Sequence, residues 1–406
     1  MNNSKGNTMN KSVHVGSKNA SAVFAYAVLE MVFAIAIAVV PMIAMADDYP
    51  VMTSTGSNAQ HESCFDRATN WTNPTYESVA PSSPAASAFD YLIETKDLRS
   101  PQDSLSTGGI NVFHSHKFTV SGVQFYECAS SGVVTNRFEN EGIELGVGGC
   151  IETMNGKYGD ATYEGKVTIS GTNDSASKRS QLIANTTNGL GSVSILRVAG
   201  TLQGNGFLRT SVKGLGARVV IEAEAEDFTG TVVVADDKGW LTFGCSVFNG
   251  SVERWNRAAI GAERASSVVH IKNLTLNAAQ STLIVPVDAV SHCAGVIVVT
   301  NSYTWKTGSE SKIIVQMRGD VPWGGDIPVL KIAPQCEVLK NGTVSRDSFY
   351  EQPVEWGGFI DDLRISRNAS FSRRVTSVSM VKYAEPDGTL VLAARVEKPG
   401  IVLIVE

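Results

Sequence analysis

Apolar and polar residues alternate along most of this chain in short runs, and Gly, Asn and Asp interrupt the runs at close spacing. In Ile110–Val120 the residues Val112, His114, His116, Phe118 and Val120 recur with a period of two, which places them on one face of a strand. The same pattern predicts strands over Phe89–Ile93, Gly132–Phe138, Gly142–Val147, Tyr163–Ile169, Ser192–Val198 and Thr201–Leu208. It continues through Arg218–Glu222, Thr231–Val234, Trp240–Phe243, Val268–Leu276, Ser281–Val287, Ala294–Thr300 and Lys312–Met317. No helical period interrupts the series. Gly171–Asn188, rich in Ser, Asn and Thr, predicts a long exposed loop. After Gly319 the character shifts. Thr376–Val381, Gly388–Ala394 and Ile401–Val405 predict final strands, and a closing strand pair is their simplest role.

Composition agrees. Charged residues make up 18% of the 406-residue chain, Gly is plentiful at 37, and the 43% apolar content is enough for a core. Many short strands joined by tight turns follow from that balance.

The N-terminus carries Lys5, Lys11 and Lys18, then an apolar run from Ala22 to Ala46 interrupted by Glu30 and Pro41. It ends in Ala44-Met45-Ala46 before Asp47-Asp48, a small-x-small site of the kind signal peptidase cuts. Residues 1–46 are read as a cleaved signal peptide, with an uncleaved anchor as the alternative. Its removal takes away three Lys and one Glu, making the remainder more negative than the −6 of the whole chain. A mildly acidic exported protein is not built to hold nucleic acid or an anionic membrane surface. The six Cys lie beyond the signal and are widely spaced. In an exported chain they permit three bridges, and as small hydrophobes they also suit a β core.

Two stretches carry a family resemblance. Glu226–Val234, EDFTGTVVV, followed by a turn and Trp240–Gly244, WLTFG, resembles the core phrase of autotransporter-associated β-strand repeats in secreted bacterial proteins. Gly204-Asn205-Gly206-Phe207-Leu208 matches the G-x-G-x-L that precedes it there. Asn70-Trp71 and DYLIETKDLRSP at Asp90–Pro101 resemble the lead-in before the first coils of such proteins. The resemblance implies an all-β, right-handed β-helix or β-solenoid with an irregular N-terminal cap and a C-terminal β section. The expected organisation is a lead-in over 47–109, a solenoid over 110–318 and a C-terminal section over 319–406. That section is too short for a translocating membrane barrel, so the general export route is expected.

Candidate chemistry is sparse. Glu222, Glu224 and Glu226 alternate with Ala223 and Ala225, which puts three carboxylates on one face beside Asp227. A Ca²⁺ or cationic-glycan contact is the functional reading, and a solvated face is the plain one. Trp240, Trp255, Trp305, Trp323 and Trp356 are sugar-stacking candidates that also suit packing. Glu222, Glu224, Asp227 and Trp240 are the binding candidates. His114 and His116 share a strand face in this reading but lack a third ligand nearby. Asp236-Asp237 reads as a turn. Asp361–Ser366, DDLRIS, resembles an end strand of laminin-G-like domains. No metal, cofactor or catalytic residue is expected, because the motifs of Ser hydrolases, zincins and nucleotide-binding loops are missing. The function expected is that of an exported, non-catalytic β-solenoid at or outside the cell surface. It would serve adhesion, glycan binding or structure, with extracellular or cell-surface polysaccharide as its partner. The alternative is a β-helix polysaccharide lyase or glycoside hydrolase.

Overall fold

The computed structural model describes residues 51–52, 71–72, 79–93, 109–121, 124–128, 133–154, 160–175, 178–185, 194–213, 217–235, 240–254, 257–277, 279–319, 323–360 and 377–397. Among these the chain is all-β. Its helical content is a 3-10 segment at Pro84–Ala88 and one turn at Ser348–Glu351. No described helix is long and apolar enough to cross a membrane.

Among the described residues the strands fall into three open sheets of 7, 11 and 13 strands, called here sheets I, II and III. From Gly109 the chain visits them in rotation. Gly109–Phe113 lies in sheet II, Lys117–Val120 in sheet I and Gln124–Cys128 in sheet III. The next circuit repeats this with Val133–Phe138, Ile143–Leu145 and Cys150–Met154, each pairing parallel with its counterpart one circuit earlier. Two further circuits end at Thr201–Gly204 and Phe207–Lys213. Among the described residues sheet I has no strand beyond Thr201–Gly204 and is continued by isolated bridges, Thr201 to Glu224 and Gly204 to Phe228, with Ala225 bridging on to Phe248. Beyond that point the chain alternates between sheets II and III, and sheet II runs on to Val354–Ile360.

The period of two explains the core. In sheet II, Val219 and Ile221, Leu241 and Phe243, Ile260 and Ala262, and Val315 and Met317 all join one continuous buried cluster. Each such side chain contributes about 1.5–3 kcal/mol when fully buried. Aromatic residues stack from circuit to circuit, as in Phe113 on Phe138 with centroids 4.3 Å apart. Residues of the opposite parity look outward, and two of them, Ile195 and Val220, form a separate buried pair.

The closing pair is present. Ser377–Ala384 and Leu390–Glu397 form an antiparallel hairpin, and the second strand pairs antiparallel with Gly325–Ile332. At the other end Asp90–Ile93 pairs parallel with Lys117–Val120, and Val51–Met52 pairs with both Asp90–Ile93 and Trp71–Thr72. Ile401–Val405, Asp236-Asp237 and Asp361–Ser366 lie outside the described residues.

Three expectations are corrected. Ile110–Val120 is two strands in different sheets, because the chain turns a corner at His114–His116. His114 bonds Glu139 at 2.7 Å and His116 bonds Asp90 at 2.8 Å, so the two do not share a ligand-bearing face. Ser180–Asn185, expected within an exposed loop, is a sheet III strand with Leu182 and Ala184 fully buried. Its polar flanks hide a short apolar run whose burial comes from neighbouring circuits. The strand Val247–Arg254 also went unpredicted, since its polar outward residues alternate with only Phe248, Gly250, Val252 and Arg254 inside.

Candidate functional site

Two of the four candidates, Glu222 and Trp240, lie on the outward face of sheet II. Parallel register places Val220, Thr242 and Gly261 at one level on three successive strands. Four charged residues of this outward face or its margin form one network: Arg197, Arg218, Glu222 and Glu263. Arg318 reaches them from a later strand.

Glu263 is the centre. It follows Ala259–Ala262 and is 8% exposed. Its Oε1 accepts from Arg218 Nη2 at 2.7 Å and its Oε2 accepts from Thr242 Oγ1 at 2.6 Å. Its backbone carbonyl accepts from Arg318 Nη2. Burial alone would raise the Glu263 carboxyl. The charge of Arg218, the hydrogen bonds from Thr242 and Arg218 and the charge of Arg318 outweigh burial, and the group sits below the ordinary carboxylate range. The ladder between Ala259–Ala262 and Ser281–Asp288 ends at Ile284. Pro286 has no N–H to extend it, so the strands part at this level.

Glu222 lies beside this centre. Its Oε1 accepts from Arg264 Nη2 at 2.8 Å and pairs with Arg197 Nη1. Arg197 Nη2 also stands 4.0 Å from Glu263 Oε1, joining the two carboxylates into one network. The crossing from Glu222 to Arg264 depends on Gly244, which lies between them. A Cβ at 244 would sit 2.6 Å from Glu222 Cγ.

Trp240 opens the next strand of the same face and is half-buried. The guanidinium carbons of Arg218 and Arg318 lie 5.6 and 5.8 Å from its ring centroid. These are cation–π contacts, and they fix the indole against the ionic network.

Of the four residues expected to bind, Glu222 and Trp240 lie on the same outer face at opposite ends of neighbouring strands, linked through Arg218, Glu263 and Arg197. Glu224 and Asp227 lie around the corner, on the segment that continues sheet I. Glu224 bridges to Thr201, and the Asp227 carbonyl accepts from Gly204 N at 3.3 Å. The predicted alternation holds, because Ala223 and Ala225 are fully buried while Glu224 and Glu226 are exposed. Glu222 already has two guanidinium partners, so it is not a vacant acceptor for a cation. Among the described residues no group of three or more His, Cys, Asp or Glu is placed to hold a metal ion.

The other expected aromatic residues have packing partners. Trp305 is buried with Lys340 over its ring, Trp323 stacks on His292, and Trp356 packs edge-on against Phe359. Trp255 lies outside the described residues. Cys245 and Cys336 are free and buried, Cys293 is free and half-buried, and Cys150 is buried. Burial pushes the Cys245 thiol up to about 12 and that of Cys336 up to about 11, so both stay protonated and unreactive.

Arg197, Arg218, Glu263, Arg264 and Arg318 were not singled out from the sequence. The available signal was the position of Arg218 and Arg318 within the apolar runs RVVI and IIVQMRG. A charge inside such a run needs a partner, but the run does not say which.

No protein-family model, curated protein or solved structure matches this chain. Fold and site together define an all-β protein of stacked parallel sheets that carries a buried ionic network on one outer face.

Proposed function

We propose that this is an exported, non-catalytic right-handed β-solenoid that works at or outside the cell surface and binds polysaccharide on the outer face of sheet II around Trp240. The rotation of strands through parallel sheets supports the solenoid reading, since each strand pairs with its counterpart one circuit earlier. Right-handedness is the hand that twisted parallel strands adopt when the chain crosses over between them. The resemblance of Gly204–Gly244 and Asp90–Pro101 to autotransporter-associated repeats and their lead-in agrees with it. The signal-like segment before Asp47 supports export, and mass analysis of exported material should find Asp47 at its start.

One observation carries the non-catalytic part. Both carboxylates of the buried network are committed to guanidinium partners, Glu263 to Arg218 and Glu222 to Arg197 and Arg264. A glycoside hydrolase needs one carboxyl kept protonated and a second free to act as base or nucleophile. Glu263, held below the ordinary range, is ionised at neutral pH and cannot be the acid.

The test is to incubate the purified protein with a panel of polysaccharides. Binding is read by depletion, and turnover by reducing ends and unsaturated products. Binding without turnover is the expected result. Turnover of any polymer would overturn the non-catalytic reading in favour of a β-helix lyase or hydrolase.

A further inference from the structure

Resting on the polysaccharide reading, we infer that the polymer is a carboxylated one, a uronate-containing chain. Arg264 takes its carboxylates while the Trp240 face supports a sugar ring further along. The network holds Arg197, Arg218, Arg264 and Arg318 against Glu222 and Glu263, and Asp160 lies on the same face beside Ile195, making four guanidiniums to three carboxylates. The patch thus keeps one guanidinium in excess on a chain whose formal net charge is −6. Beyond about 8 Å that overall charge is screened at physiological salt, so the local excess governs contact.

Accessibility separates the members. Arg218 and Arg318 are 6% and 5% exposed at the side chain and serve Glu263. Arg264 is 64% exposed and Arg197 is 22% exposed, and both converge on the same oxygen of Glu222. Two guanidiniums are thereby held by a single carboxylate, Arg197 turned with both Nη atoms toward Glu222 and Glu263, and Arg264 largely exposed. A guanidinium edge matches a planar carboxylate with two parallel hydrogen bonds. Pre-positioning by Glu222 lowers the ordering cost that a free surface arginine incurs on binding.

The experiment compares polygalacturonate and alginate with neutral dextran and with dextran sulfate, using the full protein, Arg264→Gln, Arg197→Gln and Arg264→Lys. Uronate polymers should bind the parent protein in preference to both controls. Arg264→Gln should weaken that binding about tenfold, as loss of a charge-assisted contact does. Arg264→Lys should recover only part of it, because it restores charge without the fork. The thermal midpoint of Arg264→Gln, an exposed site, reports on folding. Uronate binding that is unchanged in a folded Arg264→Gln overturns the inference. Equal binding of dextran overturns it too while leaving the polysaccharide reading intact, and equal binding of dextran sulfate reduces it to ion exchange. If no polymer binds at all, the polysaccharide reading itself has failed.

Discussion

Arg218 donates to Glu263 at 2.7 Å across 45 residues of sequence and from two strands away in sheet II. The pair ties three strands of the stack together, since Thr242 on the strand between them donates to the other oxygen. Breaking such a buried pair costs more than the pair is worth, because a desolvated guanidinium is left without its acceptor.

Replacing Glu263 by Gln should therefore destabilise the protein at neutral pH by about 3–5 kcal/mol. It should also change the acid limb. The folded pKa of Glu263 lies below its unfolded value of 4.5. Its contribution is present above pH 4.5 and is lost as pH falls through the folded pKa. Denaturant midpoints measured from pH 7 downward should fall more steeply below 4.5 in the parent protein than in Glu263→Gln.

Gly244→Ala should disturb the same face from a different side. The new Cβ has no room beside Glu222 Cγ, so Glu222 must swing away from Arg264. A loss of about 1–3 kcal/mol is expected from the overpacked site. A double-mutant cycle with Arg264→Gln should show the two changes to be non-additive.

Arg254 makes a second buried clasp, at the corner between sheets III and II. It is 0% exposed, donates from Nε to Ala258 O at 2.9 Å and from Nη1 to Ser281 Oγ at 2.8 Å, and reaches Gln280 O with Nη2. Burial pushes its pKa down to about 10. Arg254→Met keeps volume but orphans those acceptors, each costing about 1–3 kcal/mol. Urea unfolding should show a loss of at least that size, with the β signature of the folded state retained in circular dichroism.

Lys382 supplies an alkaline prediction. Its Nζ donates to Phe349 O at 2.7 Å and to Gln352 O, covering the end of the helical turn. Burial pushes its pKa down to about 8 from 10.5. The folded state thus binds fewer protons than the unfolded state between those values, and this group makes stability rise with pH across the window. The stability difference between the parent protein and Lys382→Met should grow from pH 8 to 10.5; a difference independent of pH would contradict it.

Strand positions and their inward faces were legible because burial follows parity within a few residues. Leu241 and Phe243, or Val315 and Met317, declare their face locally. The corner at His114–His116 was not legible, since alternation runs unbroken through it while the backbone changes sheet. Glu222 and Trp240 could be nominated as polar or aromatic residues at strand ends. Their partners could not, because Arg197, Glu263 and Arg318 are spread over more than a hundred residues.

By itself, then, the sequence determined an all-β chain with short strands, a closing hairpin and outward glutamates at 222, 224 and 226. Those depend on side-chain period and turn chemistry, which act between near neighbours. Only the tertiary structure decided that one ionic network links Glu222 to Trp240 while Glu224 and Asp227 turn away, and that Glu263 joins Arg218. Stacking sets those relationships: parallel register brings residues twenty or forty apart within hydrogen-bond reach, and circuit length, which varies along the chain, sets which residues meet.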